Sequence, residues 1–302
     1  MNGVLNVYKE QGFTSHDVVA KLRGILKTKK IGHTGTLDPD AVGVLPVCIG
    51  KATKLCDLIT DWGKTYEAVM LLGTTTDTLD ISGKIVAQSE VNVSEVDVLK
   101  VCNEFIGEYE QIPPMYSALK HNGQKLYELA RKGIEIERKP RTVHINTLRV
   151  NDINLSDKQK TVTITVDCSK GTYIRTLCHD IGMKLSVGGC MKELLRTKVG
   201  RFEIADSLTL TDLQKLKEED RLAEAVLPVE EVFKELLEIR SDTEEMDKLL
   251  KNGNPFRSRA VKDVKNGDKF RVYHSDGTFI GVFKYDEEKH MYYPEKIFLG
   301  GN

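Results

Sequence analysis

Residues 161–168 read Thr-Val-Thr-Ile-Thr-Val-Asp-Cys, and no other stretch restricts the fold as sharply. Val162, Ile164, Val166 and Cys168 alternate with polar side chains, the period of a strand with one face buried and the other wet. The segments around it supply partners and cover. Residues 65–72 predict a strand ended by Gly73, and further strands are expected near 143–150 and 198–204. Ser15 is expected to cap a helix of about 16–26 whose stripe is Val18, Val19, Leu22, Ile25 and Leu26. A short helix is expected near 51–61. Ser94 with Asp97 forms a capping-box pattern that starts a helix of about 95–106, burying Val98, Leu99, Cys102, Phe105 and Ile106. A last helix is expected over 173–186. The sum is an α+β chain: a mixed, mostly antiparallel sheet with flanking helices.

Beyond Gly253 the character changes. DKFRVYH and TFIGVFKYD flank Ser275-Asp276-Gly277, a hairpin signal, so residues 253–302 predict a small β-rich domain. Pro228 and acidic helices near 230–238 and 243–251 would connect it to the main body. The expected division is 1–228 and 229–302, with a basic segment of about 112–141 inserted in the first after the break Gln111-Ile112-Pro113-Pro114.

At 302 residues, 40% hydrophobic and 29% charged, the chain can hold one large domain and one small one. It has no apolar run near the ~20 residues of a membrane span. Its start, MNGVLNVYKEQGFTS, lacks the basic and apolar regions of a signal peptide, so a cytoplasmic protein is expected. Six cysteines without a CxxC pair read as reduced thiols. The spacing of Cys168, Cys178, His179 and Cys190 does not fit a structural zinc site. The net charge of −1 conceals an asymmetry: residues 218–247 carry twelve acids and three bases, whereas Met115–Arg141 carry seven bases and three acids. A basic surface of that kind suits a polyanion.

One polar loop stands out. In IGHTGTLDPDAVGVLPVCIGKATK, Asp38 precedes a proline that biases it away from the α region, among glycines that permit close backbone approach. Alone, Asp-Pro is a turn signal. Tyr66 on the first strong strand and Tyr173 and Arg175 in CSKGTYIRT are two further concentrations of polar groups. Separately these read as a core tyrosine and a helix-start arginine. Together they make a working set, because a reactive carboxylate needs a cation to keep it ionised and aligned, and a planar guanidinium does this well. No GxSxG, Walker A run or GxGxxG occurs, which argues against a serine hydrolase, a nucleotide-driven motor and a dinucleotide enzyme.

Five blocks, in order, carry a resemblance: GHTGTLDP with LPVCIGKATK, KTYEAVMLLG, TDTLDISG, PPMYSALKHNGQKLYELAR, and CSKGTYIRTL with LLRTKVGRF. The sequence resembles the TruB-type tRNA pseudouridine synthases over nearly its whole length. The resemblance implies isomerisation of the T-loop uridine of tRNA, conventionally position 55, by base flipping and an aspartate-dependent rearrangement of the glycosidic bond. It implies Asp38 as the catalytic aspartate, Arg175 as its partner, and Tyr66 as the group that stacks on the base and moves a proton. Tyr173 and Leu194 would line the pocket, and His33 would brace the space the uridine leaves. Segment 112–141 would grip RNA, and the tail would be a PUA-like RNA-binding domain. Lys51, Lys54, Lys64, Lys120, Lys125, Arg131, Lys132 and Arg141 are the phosphate candidates. The partner implied is the tRNA T-arm, with no metal, nucleotide or other cofactor required, and the expected state is a monomer.

Two positions depart from the family pattern: Lys9-Glu10-Gln11-Gly12 stands where Lys-Pro-x-Gly is usual, and Asp40-Ala41-Val42-Gly43 where Leu-Ala-Thr-Gly is usual. Asp40 is expected to point outward, since a second charge facing Asp38 would raise its pKa. Three other readings compete: a non-catalytic tRNA-binding or folding protein, a synthase acting on another RNA, and an aspartate-nucleophile hydrolase. Asp38→Asn separates the first, since a pure binder would not notice it. A choice of stem-loops separates the second. The basic segment and β tail would be superfluous in the third.

Overall fold

The computed structural model describes residues 1–298. Thr14, not Ser15, caps the first helix, in a capping box with Asp17. Both residues carry a hydroxyl, but only Thr14 has the extended backbone of a cap. In chain order the elements begin with β1 (Gly3–Lys9), α1 (Ser15–Leu26), β2 (Ile31–His33), β3 (Val42–Ile49), α2 (Cys56–Thr60), β4 (Lys64–Leu72) and the ribbon of β5 (Thr74–Thr76) and β6 (Ile85–Gln88). There follow α3 (Glu95–Asn103), β7 (Gly107–Gln111), the pair β8 (Lys120–His121) and β9 (Gln124–Lys125), α4 (Leu126–Arg131), β10 (Arg141–Asn154), β11 (Thr161–Cys168) and α5 (Ile174–Lys184). The last are β12 (Gly189–Val199), β13 (Phe202–Glu203), α6 (Leu210–Glu218), β14 (Val226–Leu227), β15 (Leu237–Arg240), α7 (Glu244–Lys251), β16 (Lys269–Tyr273), β17 (Phe279–Asp286) and β18 (Met291–Ile297).

A ten-stranded sheet runs in the order β14-β1-β3-β12-β4-β11-β10-β7, with β2 and β13 on its flanks. Its pairings are antiparallel except one: β3 and β12 meet in parallel over just two residue pairs, Leu195 with Val42 and Arg196 with Gly43. Two antiparallel half-sheets are therefore joined along a short seam. Helices α3 and α5 cover one half, burying Val98, Cys102, Ile174, Leu177, Cys178 and Ile181 against β4, β10 and β11. Helices α1 and α6 cover the other. The mixed, mostly antiparallel sheet with flanking helices is as expected.

Several boundaries differ. The strand expected at 198–204 is the end of β12, a turn at Gly200, and β13. Helix α3 stops at Asn103, so Ile106 lies beyond it and is exposed, while Leu99 within it faces solvent instead of the core. The acidic helix expected at 230–238 is a short 3-10 turn, Glu230–Phe233, followed by β15, which pairs parallel with β16. The tail forms a four-stranded sheet β15-β16-β17-β18 over its own core of Ile239, Leu250, Phe256, Phe270, Phe283 and Tyr292. A second contact ties it down: Val282 and Phe298 pack in one cluster with Val4, Val44 and Leu55 of the main body. Among the described residues, no helix is long and apolar enough to cross a membrane.

Candidate active site

The loop between β2 and β3 carries Asp38, and it is pinned on both sides of that residue. Before it, the buried Ser15 hydroxyl accepts the Leu37 N–H at 3.0 Å, and Thr34 bonds the Pro46 carbonyl through both its N–H and its hydroxyl. After it, the Pro39 carbonyl accepts the Gly12 N–H and the Lys9 ammonium, each at 3.0 Å. Lys9 is wholly buried and also donates to the Phe13 carbonyl at 2.6 Å and the Glu10 carbonyl at 3.1 Å. The lysine of the atypical Lys9-Glu10 pair thus clamps the loop by hydrogen bonds to backbone. Asp38 is left half-buried with its carboxylate aimed into a cleft of about 1850 Å³.

Arg175 reaches the same carboxylate from the first turn of α5. Its Nε lies 3.1 Å from Asp38 Oδ2 and its Nη2 3.4 Å from Oδ1, the two-pronged geometry that fixes both partners. The guanidinium also meets Asp80 Oδ2 at 3.5 Å, the Thr78 carbonyl at 3.2 Å and the Tyr116 carbonyl at 2.7 Å. Asp80 is itself held, its Oδ1 accepting from the hydroxyls of Thr78 and Ser82 and from the Ser82 N–H. The helix start is fixed by Gln111, whose buried side-chain amide donates to the Tyr173 carbonyl at 3.0 Å and accepts its N–H at 2.7 Å. Burial pushes the Asp38 carboxyl above the usual carboxylate range; Arg175 and Lys9 pull it back, while Asp80 and the exposed Asp40 push it further. Asp40 is exposed, yet it lines the same cleft and its charge acts on Asp38, so the expectation that it would point clear of the site is met only in its exposure.

Tyr66 and Leu194 form the floor, on β4 and β12, and both line the cleft with Tyr173. Tyr66 is buried, facing Arg196 across the ladder. Burial raises its phenol's ionisation above the ordinary value and Arg196 opposes that rise. The basic wall holds Lys125, Arg131 and Arg141. Around it the insertion builds a small core of Met115, Leu126 and Leu129, with Lys125 and Arg131 both over the Tyr127 ring.

The other expected RNA contacts are distributed differently. Lys120 and Lys132 are exposed on the insertion outside the cleft walls. Lys51 and Lys54 also lie off the cleft, and the Lys54 ammonium donates to the Ile297 carbonyl of the tail at 2.9 Å. Lys64, expected to meet phosphate, is buried, with its ammonium on the carbonyls of Thr60 and Trp62 at 2.6 Å each. Burial depresses its ionisation to about 8. His33 stands behind the cleft wall, edge-on to His16 at 5.2 Å, and His16 is the one that lines the cleft. Sequence reasoning passed over Asp80, Gln111 and Arg196. Asp80 and Arg196 both lay inside motif blocks without being singled out, and Gln111 and Arg196 carry no local signal of burial.

The model of the TruB family pseudouridylate synthase N-terminal domain matches residues 23–174, and that of the tRNA pseudouridylate synthase B C-terminal domain matches 175–234. The chain belongs to the TruB family. A tRNA pseudouridine synthase B of Lachnoclostridium phytofermentans is 51% identical, covering 99% of this chain and all of that protein. The Staphylococcus haemolyticus protein of the same name is 43% identical over 98% of this chain and 99% of its own length. Among solved structures, a Cbf5–Nop10–Gar1 complex aligns with a TM-score of 0.74 and 29% identity, over 98% of this chain and 85% of that one. The family expected from the five motif blocks is the family found, and the cleft in this TruB-family chain lies at the seam of its two half-sheets.

Proposed function

We propose that this chain isomerises a uridine of tRNA to pseudouridine, with the T-loop uridine as its target and Asp38 as its essential carboxylate. The observation that carries the reading is the Asp38–Arg175 pair, held at 3.1 Å in a deep cleft with a basic wall, in a member of a pseudouridylate synthase family. The reaction breaks N1–C1′ and joins C5 to C1′. Attack by the carboxylate on base or sugar, and its assistance to elimination, all need Asp38 ionised at neutral pH. Arg175 and Lys9 supply the opposing charge inside a partly desolvated site. Tyr66 offers a face on which the freed uracil stacks and a hydroxyl suited to C5 proton transfer.

A base inside a folded RNA elbow must leave its stack, at a few kcal/mol. The opening of the cleft between the insertion and the 77–84 turn fits a flipped nucleotide with its flanking phosphates on Lys125, Arg131 and Arg141. The reading treats residues 1–228 as the catalytic body and 229–302 as an RNA-binding tail, acting as a monomer. Tritium release from 5-tritiated uridine in unmodified tRNA tests it. The unsubstituted protein is expected to release tritium and Asp38→Asn to release none while still binding tRNA. Tight binding with no release by either would favour a tRNA-binding protein.

A further inference from the structure

Arg196 is the anomaly of this site. It is 1% exposed, and its guanidinium donates to the Val44 carbonyl from Nε at 2.7 Å and to the Gly35 carbonyl from Nη2 at 3.3 Å. None of the ion pairs among the described residues involves it, whereas Arg175, also buried, has two carboxylates. Arginine stays charged in proteins, and a buried cation without an anion is strongly disfavoured. Other buried cations make this worse. Lys9 and Lys64 are buried too, at 0% and 7% exposure, and Arg196 is among the groups that depress both ammoniums to about 8. Carbonyl bonding alone does not require a permanent charge here. The missing element is an anion, and Tyr66 is its cross-strand partner.

We propose that Arg196 is a positioning residue whose buried charge awaits the phenolate of Tyr66, stabilising it as the base that removes the C5 proton. The inference rests on the pseudouridine synthase reading. In the step, the C5–H bond of the re-attached base breaks and an O–H bond forms on Tyr66. The C5–H electron pair becomes the C5=C6 bond, the former C6=N1 pair moves onto N1, and N1 takes a proton from water. Tyr66 then returns its proton to solvent, so the proton count is unchanged and no oxidant or reductant enters. The electrostatics of the pair agree with this assignment: Tyr66 and Arg196 each favour the other's charged form, against the burial that opposes both.

The groups facing the pair are Cys168 from β11, Asp38 from its loop, Lys64 from β4, Lys9 from β1 and His33 from β2. Because Lys9 and Lys64 are both depressed to about 8, a pH profile needs a second readout. Single-turnover rates on tRNA carrying uridine or C5-deuterated uridine supply it. In Arg196→Gln the rate is expected to fall by at least about 10-fold at neutral pH, to show a primary deuterium effect larger than wild type, and to recover as pH rises. Arg196→Lys, which keeps the charge and safeguards folding, is expected to show the same changes in smaller degree. A fluorinated tyrosine at 66, more acidic than tyrosine, is expected to return its profile toward lower pH. Slow variants with an unchanged isotope effect and an unmoved profile would overturn the proposal and leave Arg196 as a stitch between β3 and β12. If the unsubstituted protein makes no pseudouridine, the underlying activity fails instead, and the two failures are distinct.

Discussion

Arg175 stands between two carboxylates, so removing it harms more than one bond. Arg175→Met leaves Asp38 and Asp80 facing each other without a cation, and the expected loss is about 3 kcal/mol, moderated because Asp38 is part-exposed. Denaturant unfolding measures this, and an unchanged midpoint would show that water already screens the pair. Asp38 carries the opposite sign. Its carboxyl is held above the ordinary value of 3.8, so the native state disfavours the ionised form. That cost is nil while both states are protonated and sets in as pH rises through 3.8. Asp38→Asn is therefore expected to unfold no earlier than the natural protein at neutral pH while losing activity; earlier unfolding would mean that the Arg175 contact outweighs burial. The same displacement puts the acid limb of the wild-type rate profile above the ordinary carboxylate range.

Among the elements, the seam between β3 and β12 is the most demanding. Gly43 sits there with φ of +108°, and a Cβ on it would lie 2.2 Å from the Arg196 carbonyl oxygen. Gly43→Ala must move backbone at the point where the Asp38 loop ends, and a loss above about 4 kcal/mol with no activity is expected. Gly133→Ala, also at positive φ but in open space, should cost about 1–2 kcal/mol. Thermal melts of the two variants check the contrast. The difference in legibility between strands has a similar origin. β11 announced itself because one face is wet, whereas β12 lies in the middle of the sheet with an irregular burial pattern and no clean alternation. β15 has four residues, two of them charged, too short to display a period. Asp38, Tyr66 and Arg175 stood out as concentrations of polar groups, and the motif blocks, not local chemistry, suggested their roles. Asp80 and Arg196 gain their meaning from partners 95 and 130 residues away, which no local window contains.

The whole molecule separates its charges, placing a basic insertion beside the cleft and an acidic run between body and tail. Binding of tRNA should fall steeply with salt, and replacing Lys125, Arg131 and Arg141 together by alanine should flatten the log–log slope by about 2. An unchanged slope would remove that wall from the RNA interface. The tail is more than an appended module. Val282 and Phe298 complete a cluster with Val4, Val44 and Leu55, so a chain cut after residue 234 is expected to expose it and aggregate, which light scattering would detect. The seam has a last consequence, in time. Val42 and Gly43 cannot find Leu195 and Arg196 until some 150 residues more have left the ribosome, roughly 10–30 s later at ordinary synthesis rates. So distant a closure is late on any folding path. The newborn chain can display helices and hairpins well before its catalytic loop has anything to rest on, and the appearance of activity should therefore mark the end of folding rather than its progress.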